Sequence, residues 1–317
     1  MVVNMSSRTG TIDCRAVSKV FDHRTVVDDV SFHVPAGTIT GFVGANGAGK
    51  TTTMRMLLGL VAPSAGTAWV NGRPYRDLKQ PRREVGAVVD GPGAHPGHSA
   101  RTHLMIMATS AGLPRRRVDE VLDLVELTEH AHRRVDGFSM GMLQRLALAG
   151  ALLGDPGILI LDEPVNGLDP PGILWVRDLL RRLAKEGRAL LVSSHLLSEL
   201  AEVAHRVVII DRGRLVADTT LDDLLADKSH VVELRCADPA SLLQALRARK
   251  INVTVEGDAL MIEGMSAREA GETAAAVGAG PVYWLTERAS SFEDVYFRLA
   301  GSMTRESPAR TDPVVAS

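Results

Sequence analysis

Hydrophobic and polar positions along this chain change period several times, and each change marks an element. Between Ile12 and Val34 short apolar stretches alternate with polar residues, most clearly over Val26–Val34, and a period of two predicts strands. Thr38–Val43 is a short apolar run of strand type, followed over Thr51–Leu60 by helical spacing with Met54, Leu57 and Leu58 on one side. Gly66–Val70 is a further strand, bounded by Gly66 and by Asn71-Gly72. Ala87–Val89 is apolar and runs into Asp90-Gly91-Pro92-Gly93, a loop that a helix does not cross easily. From about Ala100 to Leu153 apolar residues recur three and four apart, predicting helices over Thr102–Ala111, Val118–Leu127 and Met142–Leu153. Strand patterns return at Ile158–Leu161, Ala189–Val192 and Val207–Ile210. This order predicts an α/β domain over 11–224 with a largely parallel sheet, carrying a helical insert at about 95–155.

After about Leu221 the pattern starts afresh. Val231–Cys236, Ile251–Val255, Leu260–Glu263 and Val282–Thr286 read as strands, Ala240–Arg247 and Ala267–Val277 as helices. The β-α-β-β-α-β order predicts a small α+β, ferredoxin-like domain over 229–301. A last helix is expected near Phe292–Leu299, where Phe292, Tyr296 and Leu299 form a packing stripe. The polar, Pro-containing tail over 302–317 is expected to be disordered.

Candidate chemistry concentrates at Gly44-Ala45-Asn46-Gly47-Ala48-Gly49-Lys50-Thr51, which fits the phosphate-binding pattern G-x-x-x-x-G-K-[ST]. Its glycines let the backbone wrap a phosphate chain with N–H groups inward, and the following helix N-terminus, with Thr52, adds to the anion site. Lys50 supplies a mobile cation for the β- and γ-phosphates, and Thr51 a hydroxyl for Mg²⁺. A Gly-rich turn before Lys-Thr is the plainer alternative, but every fixed position is filled and the flanks are strand and helix. A second acidic feature joins it: the apolar strand Ile158–Leu161 ends in Asp162-Glu163. Asp162 is expected near the Mg²⁺ held by Thr51, and Glu163 is expected to orient an attacking water.

Composition narrows the setting. The chain has 317 residues, 45% of them hydrophobic, which is enough for a large domain and a small one and excludes wholesale disorder. A formal net charge of −2 argues against binding driven by nucleic-acid phosphates. Cys14 and Cys236 match no disulfide or zinc framework and read as reduced core residues. There is no signal-peptide core and no apolar run near the ~20 residues that span a bilayer. The protein is therefore expected to be cytoplasmic, with any membrane span supplied by another chain. Arg115–Arg117 and Arg133-Arg134 read as solvated faces, and His95, His98 and His103 as loop and surface residues without metal-ligand spacing.

With these features in place the chain resembles the ATP-binding subunits of ATP-binding cassette (ABC) transporters over Ile12–Leu224. The resemblance includes Phe138-Ser139-Met140-Gly141-Met142-Leu143-Gln144-Arg145 against the signature L-S-G-G-Q, Asn166-Gly167-Leu168-Asp169 after the acidic strand, and Ser193-Ser194-His195 after the next. It implies ATP and Mg²⁺ as cofactors and ATP hydrolysis as the activity. It also implies a homodimer of cassettes, bound on the inner face of the membrane to a separate permease. Phe21 stands where the family stacks an aromatic ring on adenine. Ser139 and the backbone of Gly141 would meet the γ-phosphate held by the second copy, Asp169 would couple the two sites, and His195 would contact the γ-phosphate. Met140 and Met142 depart from the signature, and the Ser139-x-Gly141-Met142 form resembles the branch exporting antibiotics and lantibiotic-type peptides. Asp90 stands where the family usually has a Gln that contacts Mg²⁺. The leading expectation is the ATPase subunit of an antibiotic, drug or peptide exporter. One alternative is a soluble ABC ATPase without a membrane partner. Another, a nucleotide-responsive module that does not hydrolyse, is disfavoured by the retention of Glu163 and His195.

Overall fold

The computed structural model describes residues 10–91, 93–194, 197–226 and 230–289, together with 292, 295, 296 and 299. The expected tail at 302–317 and most of the last helix fall outside the described residues, as does His195. Of that helix's stripe, Phe292 and Tyr296 are buried. The chain divides into two compact units, 1–221 and 222–317.

In the first unit the chain runs through β1 (Ile12–Phe21), β2 (Arg24–Val34), β3 (Ile39–Val43), α1 (Lys50–Leu57) and β4 (Ala65–Val70). It continues through α2 (Pro81–Glu84), β5 (Val85–Val88), α3 (Ala100–Ser110), α4 (Arg116–Leu124) and α5 (Met140–Leu152). Next come β6 (Ile158–Leu161), α6 (Pro170–Lys185), β7 (Ala189–Ser194), α7 (Leu197–Ala201), β8 (Arg206–Asp211) and β9 (Arg214–Thr220), and α8 (Leu221–Ala226) starts at the last residue of this unit and runs into the second. A six-stranded sheet in the order β5-β6-β7-β3-β8-β9 is parallel except for β9, which pairs antiparallel with β8. Strands β3, β6 and β7 are buried at every position, which is why they read as unbroken apolar runs. A separate antiparallel sheet, β2-β1-β4, contributes the alternating strands.

The two sheets and α1 share one core. Ile12, Val30 and Phe32 of the small sheet join Met54 and Leu57 of α1 and Phe42, Ile158, Ile160 and Val208 of the large one. The Phe32 and Phe42 rings lie 5.3 Å apart, tilted by 37°. Phe42 is fully buried, so Phe42→Ala should cost about 3–5 kcal/mol. The consequence for the site is rigidity: β3, β6 and β7 deliver their C-terminal ends, side by side, to the loop after β3.

Helices α3, α4 and α5 form the insert between β5 and β6. Arg117 is more than a solvated face. Its guanidinium donates to the carbonyls of Leu152 and Leu153, at 3.0 and 3.1 Å, at the end of α5. His103 is half-buried, and that burial lowers its pKa.

The second unit contains β10 (His230–Cys236), α9 (Pro239–Ala248), β11 (Val253–Glu256), β12 (Ala259–Glu263), α10 (Ala267–Ala276) and β13 (Val282–Ala289). Its antiparallel sheet has the order β11-β12-β10-β13. Val232, Leu234, Leu260 and Ile262 pack with Leu242 and Leu246 of α9 and with Ala270 and Ala274 of α10. Ser266 and Glu269 form a capping box that starts α10.

Candidate functional site

The loop from Gly44 to Gly49 joins the buried end of β3 to α1. Glycine is required there for close approach and for backbone sign. A Cβ on Gly44 would lie 2.4 Å from the Ile210 carbonyl oxygen. Gly49 has φ +107°, a left-handed conformation that L side chains rarely adopt. Gly49 caps α1 without any side-chain hydrogen bond, so the first N–H groups of the helix remain available for an anion.

A cavity of about 250 Å³ opens on this loop, lined by Val26, Ala45, Asn46, Gly47, Gly49, Lys50, Thr51, Thr52, Asp162 and Glu163. Lys50 is buried, and its ammonium donates to the carbonyl oxygens of Gly44 at 2.6 Å and Ala45 at 3.3 Å. Burial lowers the Lys50 pKa, partly offset by the charges of Glu163 and Asp162. The Thr51 hydroxyl donates to Asp162 Oδ2 at 2.7 Å, bringing together residues 111 positions apart. Among the described residues no cluster of three or more His, Cys, Asp or Glu forms a self-contained metal site. Thr51 and Asp162 are hard oxygen donors, the pair suited to Mg²⁺ that keeps phosphate and water oxygens as its remaining ligands.

Glu163 follows with φ +52°, an uncommon backbone conformation for a non-glycine residue. Its N–H donates to the Ser193 hydroxyl at 3.0 Å, and the Ser193 hydroxyl donates to Asp162 Oδ1. Sequence reasoning kept Ser193 only as part of a matching tripeptide. Its signal was a hydroxyl at the end of a buried strand, where a polar side chain needs a partner.

Phe21, Ser139, Gly141, Asp169 and Asp90 do not line this cavity, and His195 lies outside the described residues. Phe21, at the end of β1, is exposed, with the Lys19 ammonium 4.7 Å from its ring centroid. Ser139 caps α5, its hydroxyl accepting from Met142 N at 3.3 Å. Gly141 faces the loop after β6: a Cβ there would lie 3.5 Å from Leu168 Cδ2. Asp169 caps α6, accepting from Gly172 N at 3.1 Å, with Pro170 opening the helix. Asp90, expected as a metal contact, meets a cationic side chain. Its backbone takes φ +66°, and its carboxylate is held by the Arg55 guanidinium, with Nε at 3.1 Å from Oδ2. Arg55 lies on α1, so this pair ties the loop after β5 to the phosphate helix.

The ABC transporter family matches residues 27–166, from β2 to the loop after the acidic strand. Over a longer stretch, the bacitracin transport ATP-binding protein BcrA of Bacillus licheniformis is 40% identical over 225 residues, covering 70% of this chain and 74% of its own length. This chain belongs to the ABC transporter ATP-binding proteins. The Nod factor export ATP-binding protein I of Paraburkholderia xenovorans (strain LB400) is 35% identical over 299 residues, 92% of this chain and 97% of its own. That alignment is too long to stop within the first unit. A solved structure described as the ATP binding subunit of an ABC transporter superposes with a TM-score of 0.63 at 30% identity, covering 68% of this chain and 92% of that one.

The cassette is thus an ATP-binding, ATP-hydrolysing subunit. No helix among its described residues is long and apolar enough to cross a membrane.

Proposed function

We propose that this cassette powers an exporter of an antibiotic, drug or peptide, working in a pair on the cytoplasmic face of a separate membrane permease. The names of the relatives, bacitracin transport and Nod factor export, support the direction and the general class of cargo. The lack of a membrane-spanning helix among the described residues is consistent with a permease on another chain. The observation that carries the reading is the convergence of Lys50, Thr51, Asp162 and Glu163 on one cavity at the phosphate loop.

In this reading Lys50 exchanges its bonds to the Gly44 and Ala45 carbonyls for the β- and γ-phosphates of ATP, and the loop N–H groups wrap the same oxygens. Thr51 and Asp162 would hold Mg²⁺. When bound, it would supply positive charge that offsets the charge of the phosphates. Glu163 accepts a hydrogen bond from the attacking water and aligns it with the γ-phosphorus. Ser139 and the N-terminal amides of α5, near Gly141, approach the γ-phosphate held by a second copy, where the dipole of α5 favours negative charge. Asp169 couples the paired sites, His195 contacts the γ-phosphate, and Phe21 stacks on adenine. The second unit is read as a ferredoxin-like domain, supported by its β-α-β-β-α-β order and by the antiparallel sheet with β10 and β12 at the centre.

The test is Glu163→Gln. It should lower kcat by roughly 10²-fold or more while ATP stays bound. Hydrolysis at the wild-type rate would remove Glu163 from the chemistry. Recovery of the chain with no membrane protein, from a source that carries no permease gene beside it, would favour a soluble ABC ATPase.

A further inference from the structure

Ser193 lies at the end of β7, fully buried, between the two carboxylate-bearing residues of the site. Its hydroxyl has one proton and two lone pairs. The Glu163 N–H can only donate, so Ser193 accepts it, at 3.0 Å. The ionised Asp162 carboxylate can only accept, so the single Ser193 proton goes to Asp162 Oδ1. The direction of every bond is therefore set: Glu163 N–H to Ser193, Ser193 O–H to Asp162. Asp162 Oδ2 is left to the Thr51 hydroxyl, at 2.7 Å.

Two features make this relay more than ordinary satisfaction of a buried hydroxyl. The peptide it grips belongs to Glu163, whose φ of +52° is a conformation of the kind that persists only where the surroundings impose it. The hydroxyl also spans adjacent strands, since Leu161 of β6 pairs with Val192 of β7. In chains of hydrogen bonds each bond polarises the next, so charge on Asp162 strengthens the hold of Ser193 on the Glu163 amide.

We infer that Ser193 is a positioning residue for ATP hydrolysis: it links the carboxylate of Asp162 to the backbone of Glu163 and so aims the Glu163 side chain. The inference rests on the assignment of Glu163 given above. Ser193 touches no substrate; its effect passes through Glu163. It should therefore govern turnover and leave ATP capture by the loop unchanged.

The experiment is steady-state hydrolysis by the full chain carrying Ser193→Ala, Ser193→Cys or Ser193→Thr, with ATP binding and Tm measured on each. Ser193→Ala should lower kcat roughly 10- to 100-fold, the range a bond to a charged group is worth, with KM and ATP affinity within about twofold of wild type. Ser193→Cys keeps the volume with a weak hydrogen-bonding group and should behave like Ser193→Ala. Ser193→Thr keeps the hydroxyl and should recover most of the rate. In a Glu163→Gln background Ser193→Ala should add little further loss, because both changes act through one side chain. Wild-type kcat in a folded Ser193→Ala or Ser193→Cys variant would overturn the inference. So would equal losses in ATP affinity and kcat, or a rate that follows Tm and ignores the hydroxyl. If Glu163→Gln itself hydrolyses normally, the assignment of Glu163 fails; if it is inactive while Ser193→Ala and Ser193→Cys are silent, only the role of Ser193 fails.

Discussion

The phosphate loop and the signature segment each end at a helix N-terminus, yet the chain furnishes the two ends differently. At α1 the cap is a glycine with no side-chain bond, and a buried lysine, a hydroxyl and two carboxylate residues converge beside it. At α5 Ser139 supplies the cap, Met140 is 57% exposed, and none of Ser139, Met140 and Gly141 lines the cavity. The first end is a site assembled by its own chain. The second is a capped helix terminus that stands beside the loop after β6 and adds no lining residue to that cavity. In the proposed reading, a site shared between two copies would require that difference, and residues that capture ATP would then be separate from residues that respond to it.

The largest effects should come from the first end. Lys50→Ala should cost roughly 10²- to 10³-fold in kcat/KM, because Lys50 is the one cationic side chain among the described residues that line the cavity. Nucleotide binding by fluorescence should weaken together with hydrolysis. Gly141→Asp places a negative side chain at the signature helix. It should cut turnover roughly 10-fold or more while each chain still binds ATP, since Gly141 is absent from the cavity of its own chain. Equal loss of ATP binding in Gly141→Asp would collapse the distinction between the two ends.

How far these two ends were legible in the sequence differs for a physical reason. The loop is local: eight consecutive residues specify its glycines, cation and hydroxyl. The strands beneath it were legible because burial on both faces leaves Ile158–Leu161 and Ala189–Val192 uninterrupted. The half-exposed strand β9 escaped notice, since Arg214–Thr220 has neither a full apolar run nor a clean alternation. Helix α6 went unread although Asp169-Pro170 is a start signal. Arg55 with Asp90, and Ser193 with Asp162 and Glu163, are tertiary meetings across 35 and about 30 residues, which no periodicity encodes. Asp90 shows the consequence: its expected metal role followed from position in a pattern, and the pair with Arg55 was not legible there.

A smaller effect concerns stability. Burial lowers the Lys50 pKa, so its charged form is disfavoured in the nucleotide-free folded chain. That penalty is complete below the lowered pKa. It fades as pH rises from there toward the ordinary lysine value, because the folded protein then sheds a proton the unfolded chain keeps. Lys50→Met should therefore raise Tm at neutral pH without nucleotide, with an advantage that shrinks in alkaline buffer, while ATP no longer stabilises the variant. A lower Tm at neutral pH would show that the bonds to Gly44 and Ala45 outweigh the burial of charge. The smallest effect is expected from Arg55→Ala. Its partner pair with Asp90 is well exposed, so thermal unfolding should shift by no more than about 1 kcal/mol. A larger loss would mean that the tie between the loop after β5 and α1 also holds the phosphate helix.

The most direct test of a site completed by a second copy is the mass of Glu163→Gln in solution, measured by light scattering with and without ATP. The variant should be a monomer alone and a dimer in ATP, and Glu163→Gln with Gly141→Asp should bind ATP and stay monomeric. A Glu163→Gln chain saturated with ATP that remains a monomer, or a double variant that still dimerises, would contradict the account.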